Sequence, residues 1–210
     1  MSSGPYNTGF NEIKWNNGFE RWDLVRFKTP ADGNCLFHSI CNSFYIPYRT
    51  GVLEGKNINR TELVRTLRSE LARKLAMKLS DEKDAPTYYS ILNKGNTSLF
   101  SKEVPEFTLE HMQRELDSSN AIGYGYIEFI GNVLNKDIYI LDGVRKDIYI
   151  SDELPLTIKG NRNSIVLYYT NGHYELVGIR NSEGFDTYFD PNHSFIKFLY
   201  NRVSKIVNKS

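Results

Sequence analysis

The chain has 210 residues, 40% hydrophobic and 24% charged, with a formal net charge of +1. That length buries a substantial core in one domain and the balance is that of a soluble globular protein, while near-neutrality excludes a broad attraction to nucleic acid or to an anionic membrane. No stretch reaches the roughly 18 apolar residues of a membrane span, and Met1-Ser2-Ser3-Gly4-Pro5 has neither the basic start nor the apolar run of a signal peptide. Cys35 and Cys41 lie six apart in one predicted helix and do not share a face, so no disulfide is expected between them. A reducing, cytoplasmic compartment fits better than secretion. The richness in Asn, Lys, Ile and Tyr is that of an A/T-rich genome, which makes a viral origin one expectation.

Residues 1–22 read as an irregular N-terminal arm whose aromatic side chains pack on the body. Asp23 to Lys28 alternates like a strand and is stopped by Pro30. After the Asp32-Gly33-Asn34 turn, Leu36, Phe37, Ile40, Cys41 and Phe44 form the apolar stripe of a helix over 35–44. This phase puts Cys41 in the core and Cys35 at an exposed helix start. A loop over 45–58 leads to a long helix capped by Asn59, with Glu62 in the capping-box position and Leu63, Leu67, Leu71 and Leu75 marking its buried face through about Leu79. Its basic residues, Arg65, Arg68, Arg73, Lys74 and Lys78, read as a solvated face, because Glu62 and Glu70 interrupt them and no aromatics interleave.

A short helical piece is expected near Tyr88–Asn93, a helix from Phe107 to Leu116 with Thr108 as a cap, a turn at Gly123-Tyr124-Gly125 and a helix from Tyr126 to Leu134. Strands follow at Asp137–Leu141, briefly at Ile148–Ile150, and at Ile165–Tyr169. Asn171-Gly172, both tolerant of positive φ, then turns the chain into His173–Val177. An amphipathic helix over 194–207, carrying Phe195, Phe198, Leu199, Val203 and Ile206, ends the chain. With no repeats and no low-complexity linker, the reading is one α+β unit: the arm over 1–22, a catalytic domain over 23–180, and a C-terminal extension over 181–210 packed on it.

Chemistry concentrates at two places. A helix N-terminus and a nearby imidazole both lower a thiol's pKa, and Cys35 occupies the first environment. The preceding turn offers backbone N–H groups, approachable because of Gly33, that suit an oxyanion. The same pattern also fits a buried, inert cysteine behind a turn. His173 opens a strand directly after a tight turn, a rigid platform for a general base. Strand alternation puts Glu175 on the same side, where a carboxylate would fix the imidazole's tautomer. Cysteine first, histidine far downstream and an acid beside it make a thiol-hydrolase set. No His/Cys group has zinc spacing, so neither a metal nor any other cofactor is expected.

Asp32-Gly33-Asn34-Cys35-Leu36-Phe37-His38-Ser39 resembles the nucleophile motif of the ovarian tumour (OTU) family of papain-like cysteine proteases, and Gly172-His173-Tyr174 resembles its histidine strand. The resemblance extends from about Leu24 to Val177. It implies a papain-like α+β fold, a small, mostly antiparallel central sheet flanked by helices. It also implies deubiquitinase activity on a monomeric protein whose partners are ubiquitin or polyubiquitin chains, hydrolysed after the terminal Gly-Gly. By position it makes Cys35 the nucleophile, His173 the general base, and Asp32 with Gly33 and Asn34 the oxyanion loop. Tyr174, Gly123, Tyr124 and Gly125 become pieces of the substrate channel. Glu175 stands where the family has Asn or Asp, one methylene longer. It is the expected partner of His173, with Asp190, or no fixed acid at all, as alternatives. His38 is expected to pack behind the nucleophile, and Glu103, Glu106 and Glu110 are possible acidic contacts. A protease for another ubiquitin-like modifier or for a polyprotein, and a silent OTU fold that only binds ubiquitin, stay open.

Overall fold

A computed structural model describes residues 4–149 and 157–207. Ile150, expected to end a short strand, and the side chain of Ile206 lie outside the described residues, as do Met1, Ser2 and Ser3. Among the described residues the elements run β1 (Phe10–Glu12), β2 (Leu24–Phe27), α1 (Cys35–Phe44), α2 (Ile46–Thr50), β3 (Val52–Leu53), β4 (Lys56–Asn57) and α3 (Arg60–Leu75). They continue with α4 (Tyr88–Ile91), α5 (Thr97–Phe100), α6 (Leu109–Asp117), α7 (Ile127–Leu134), β5 (Asp137–Asp142), β6 (Asp147–Ile148), β7 (Ser164–Thr170), β8 (His173–Asn181), β9 (Gly184–Asp186) and α8 (Ser194–Val207).

Seven strands make one sheet in the order β1-β2-β8-β7-β5-β6, with β9 added to β8. Among the described residues only β5 and β7 pair in parallel. The sheet is therefore mostly antiparallel, as expected of this α+β chain. The turn at Asn171 (φ 48°) and Gly172 (φ 79°) has the two positive φ values that a tight two-residue hairpin needs.

Strand alternation separates two cores. Tyr174 and Leu176 of β8 join Phe27, Ile140 and Leu167 in a cluster with Leu36, Phe37 and Ile40 of α1 and with residues of α3, α6 and α7. Val177 and Ile179, the alternate residues, face Trp15, Phe19, Phe195 and Leu199. The two ends of the chain thus cover the back of the sheet while α1 and α3 cover its front. A buried Phe or Leu in either layer is worth roughly 1.5–3 kcal/mol relative to exposure.

Three expectations change. The arm is not irregular throughout, since Phe10–Glu12 extends the sheet beside β2. The segment 45–58 is not a plain loop: Pro47 suits the first turn of α2, Gly51 at φ 74° stops it, and a two-residue hairpin follows. The long helix ends at Leu75 rather than Leu79 because the chain folds back and the Leu79 amide donates to the Pro86 carbonyl at 2.9 Å. Its buried stripe is Val64, Arg68, Leu71, Ala72 and Leu75, while Leu63 and Leu67 are only partly covered.

Candidate active site

The residues before α1 are held from two sides. The Asn34 amide donates to one Asp32 carboxylate oxygen at 3.0 Å, and the other oxygen lies 3.1 Å from His38 Nε2. His38 Nδ1 is 2.8 Å from the Tyr48 hydroxyl. With the His38 proton on Nε2, Asp32 accepts it and Tyr48 donates to Nδ1, so the buried imidazole is satisfied without a charge. His38 therefore packs beneath the turn that leads into Cys35. Burial alone would raise the Asp32 carboxyl, but the Asn34 and His38 contacts outweigh it and hold it below the usual carboxylate range.

On the other side stands Arg68, and here the sequence reading is corrected. Expected on a solvated face, it is 1% exposed. Its guanidinium donates to the Asn34 side chain (2.8 Å), the Gly33 carbonyl (3.3 Å) and the carbonyls of Leu116, Glu115 and Asn120 (2.8–2.9 Å). It also lies 4.8 Å from the Phe37 ring centroid. Regular basic spacing along α3 masks this one position. The only local signal is its phase, one turn from the buried Val64 and Leu71. Gly33 itself has φ +80°, and a Cβ there would stand 2.0 Å from the Ser119 carbonyl oxygen.

Cys35 begins α1 as expected, yet it is buried, not exposed. Its environment does not lower its pKa. Burial pushes the thiol up, and the amides of Tyr174, Leu36 and Cys35 offset this only in part. Both cysteines are free thiols, and burial alone pushes Cys41 up to about 12.

The Tyr174 peptide is where the separate pieces meet. Its N–H donates to Cys35 Sγ at 3.4 Å. Its carbonyl accepts from Thr29 Oγ1 at 2.5 Å and from Ser39 Oγ of α1 at 3.4 Å. The thiol therefore lies against the residue that follows His173, at the hairpin end of β8. His173 Nε2 is 3.5 Å from Thr29 Oγ1.

Glu175 does not take the place expected of it. Among the described residues no hydrogen bond or ion pair joins it to His173. Its carboxylate accepts from Arg26 at 2.7 Å, and that guanidinium lies 4.6 Å from the Tyr168 ring centroid. The alternative, Asp190, is occupied in its own turn, accepting the Asn192 amide at 2.7 Å.

Gly123, Tyr124, Gly172 and Tyr174 line a common cavity of about 270 Å³ with Tyr149 and Tyr169. Gly125 lines the neighbouring cavity of about 480 Å³, which shares Gly123 and Tyr124 and adds Glu106, Glu115 and Glu128. Glu103 and Glu110 line neither. Among the described residues no group of three or more His, Cys, Asp or Glu side chains is placed to hold a metal ion, and no helix is long and apolar enough to cross a membrane.

No family model matches the sequence and no curated protein matches it. Solved structures do. An OTU domain in complex with ubiquitin aligns over 90% of this chain and 85% of its own, at 20% identity and a TM-score of 0.54. The OTU domain of OTUD1 aligns over 75% and 87% at 21% identity and a TM-score of 0.44. The viral OTU protease of Dera Ghazi Khan virus aligns over 83% and 88% at 13% identity and a TM-score of 0.46. Over most of its length, this chain has the fold of the ovarian tumour (OTU) domains.

Proposed function

We propose that the protein is a cysteine deubiquitinase that hydrolyses the bond following the terminal Gly-Gly of ubiquitin. The observation that carries this reading is the Tyr174 amide on Cys35 Sγ: the thiol at the helix start lies against the residue that follows His173, 139 positions further along the chain. The fold it shares with an OTU domain in complex with ubiquitin supports ubiquitin as the substrate class.

In this mechanism the thiol is neutral at rest, since burial raises its pKa. It therefore needs His173 to take its proton as sulfur attacks the carbonyl carbon. The oxyanion forms beside the Asp32-Gly33-Asn34 loop, held by Arg68 on one side and His38 on the other. Imidazolium then protonates the departing amine, and water, activated by the same imidazole, hydrolyses the thioester. The cavity between Gly123 and Tyr174 has glycines and tyrosine rings for walls, which suits a pair of residues without side chains. Glu106, Glu115 and Glu128 beyond it suit a basic segment preceding them.

The test is a ubiquitin probe with a thiol-reactive C-terminus. Labelling of the parent protein at Cys35, and none of a folded Cys35→Ala variant, is the expected result. Undiminished labelling of Cys35→Ala would refute the assignment. Ubiquitin binding without turnover on any chain linkage would make the protein a binding module instead, and labelling only by probes of another modifier would reassign the substrate.

A further inference from the structure

We infer that Thr29, a hydroxyl rather than a carboxylate, is the positioning residue for His173. The inference rests on reading His173 as the general base. β2 and β8 pair with Phe27 opposite Leu176, so the same register continued past the strand end brings Thr29 opposite Tyr174. There its hydroxyl donates to the Tyr174 carbonyl at 2.5 Å. A threonine hydroxyl has one proton, and this bond commits it. Towards His173 Nε2, 3.5 Å away, the oxygen can then only accept. The imidazole proton therefore sits on Nε2, and Nδ1 keeps the lone pair that a base requires. The contact is at the outer limit of hydrogen-bond length, which is common at catalytic hydrogen bonds before substrate tightens the site.

Glu175 is unavailable for this task. It is buried, its carboxylate is neutralised by Arg26, and that guanidinium is itself held over Tyr168. Turning Glu175 toward the imidazole would strand a partly covered arginine. The chain thus spends its strand carboxylate on the sheet and uses the residue before Pro30 for the histidine. A neutral acceptor fixes a tautomer but stabilises imidazolium less than a carboxylate does, so the effect on rate is modest: loss of one neutral hydrogen bond corresponds to about threefold to tenfold.

The experiment is long-range proton–nitrogen NMR of the full chain labelled with ¹⁵N-histidine, in which the ring nitrogen shifts report the tautomer. His173 is assigned among the four histidines by a His173→Asn variant. The expected result is the Nε2–H tautomer in the parent, in Thr29→Ser and in Glu175→Gln, and a mixture of tautomers in Thr29→Val. Turnover of a ubiquitin substrate should follow, with kcat lowered about threefold to tenfold in Thr29→Val, KM unchanged, and rescue by Thr29→Ser. An Nδ1–H tautomer in the parent overturns the inference with no variant needed. So does an unchanged tautomer in Thr29→Val, or a loss of Nε2–H in Glu175→Gln. Failure of the parent to cleave any ubiquitin conjugate would remove the proposed activity, while the resting-state tautomer would still decide the role of Thr29.

Discussion

Arg68, in the middle of α3, donates to the side-chain carbonyl of Asn34 at 2.8 Å, immediately before Cys35. The same guanidinium holds carbonyls at the end of α6 and in the following loop, which leads into the wall of the cavity at Gly123 and Tyr124. One buried cation thus ties the loop that would hold the oxyanion to the segment that would receive the substrate. A lysine presents a single ammonium and cannot reproduce the planar fork over these acceptors. Arg68→Lys should lose about 3 kcal/mol of stability, in the range for disrupting a buried charge and its partners. Its folded fraction should show kcat reduced about tenfold or more, as for losing an oriented oxyanion donor. Urea denaturation beside turnover of a ubiquitin-linked fluorophore checks both, and full activity in a stable Arg68→Lys protein would dissociate the cation from the site.

Gly33 is the position where a single methyl group should be least tolerated. Its φ of +80° disfavours any L side chain, and the Ser119 carbonyl occupies the space a Cβ would need. Gly33→Ala should therefore push the two loops apart and cost about 2 kcal/mol or more, adding backbone strain to a steric clash. Activity should fall further than stability predicts, because the displaced loop adjoins Cys35. Melting temperature and kcat measured on the same preparation separate the two effects.

Asp32 carries a pH signature. Its folded-state pKa lies below the usual carboxylate value because the Asn34 amide and His38 outweigh the opposing effect of burial. A depressed carboxylate contributes stability that is fully present above its unfolded pKa of about 3.9 and is lost as pH falls through the folded value. Asp32→Asn should be less stable than the parent at pH 7, and the difference should shrink as the pH is lowered below about 4. Urea midpoints across pH 3–7 measure it, and a constant difference across that range would show that Asp32 contributes no charge-dependent stability.

The two thiols should separate cleanly in a reactivity assay. Burial holds Cys41 at about 12, so iodoacetamide should modify it only after unfolding. Cys35 is buried less completely and also has a raised pKa. Its alkylation, followed by mass spectrometry, should be faster than that of Cys41 and should still be climbing above the pH, about 8.5, at which an ordinary thiol is half ionised. A rate plateau reached below pH 7 would instead reveal a stable thiolate–imidazolium pair at rest.

Local chemistry determined much of this protein. The helix over 35–44, the hairpin at Asn171-Gly172 and the strand at 137–141 follow from apolar period and turn residues, which act within a few positions along the chain. Helix phase also distinguished Cys35 from Cys41, although not how deeply Cys35 sits, because that depends on the strand laid over it. What only the tertiary structure decided are contacts between distant positions. The alternation that put Glu175 on the side of His173 is a property of one strand. The arginine that takes its carboxylate comes from β2, and the hydroxyl beside the imidazole comes from the chain just past it, 144 residues away. Arg68 likewise looks like its basic neighbours in sequence, and only the approach of the Gly33-Asn34 turn, the end of α6 and the loop after it to one turn of α3 leaves it buried and surrounded by carbonyls. Periodicity is set by a residue's own element, whereas a polar side chain's partner is set by whichever element packs against it.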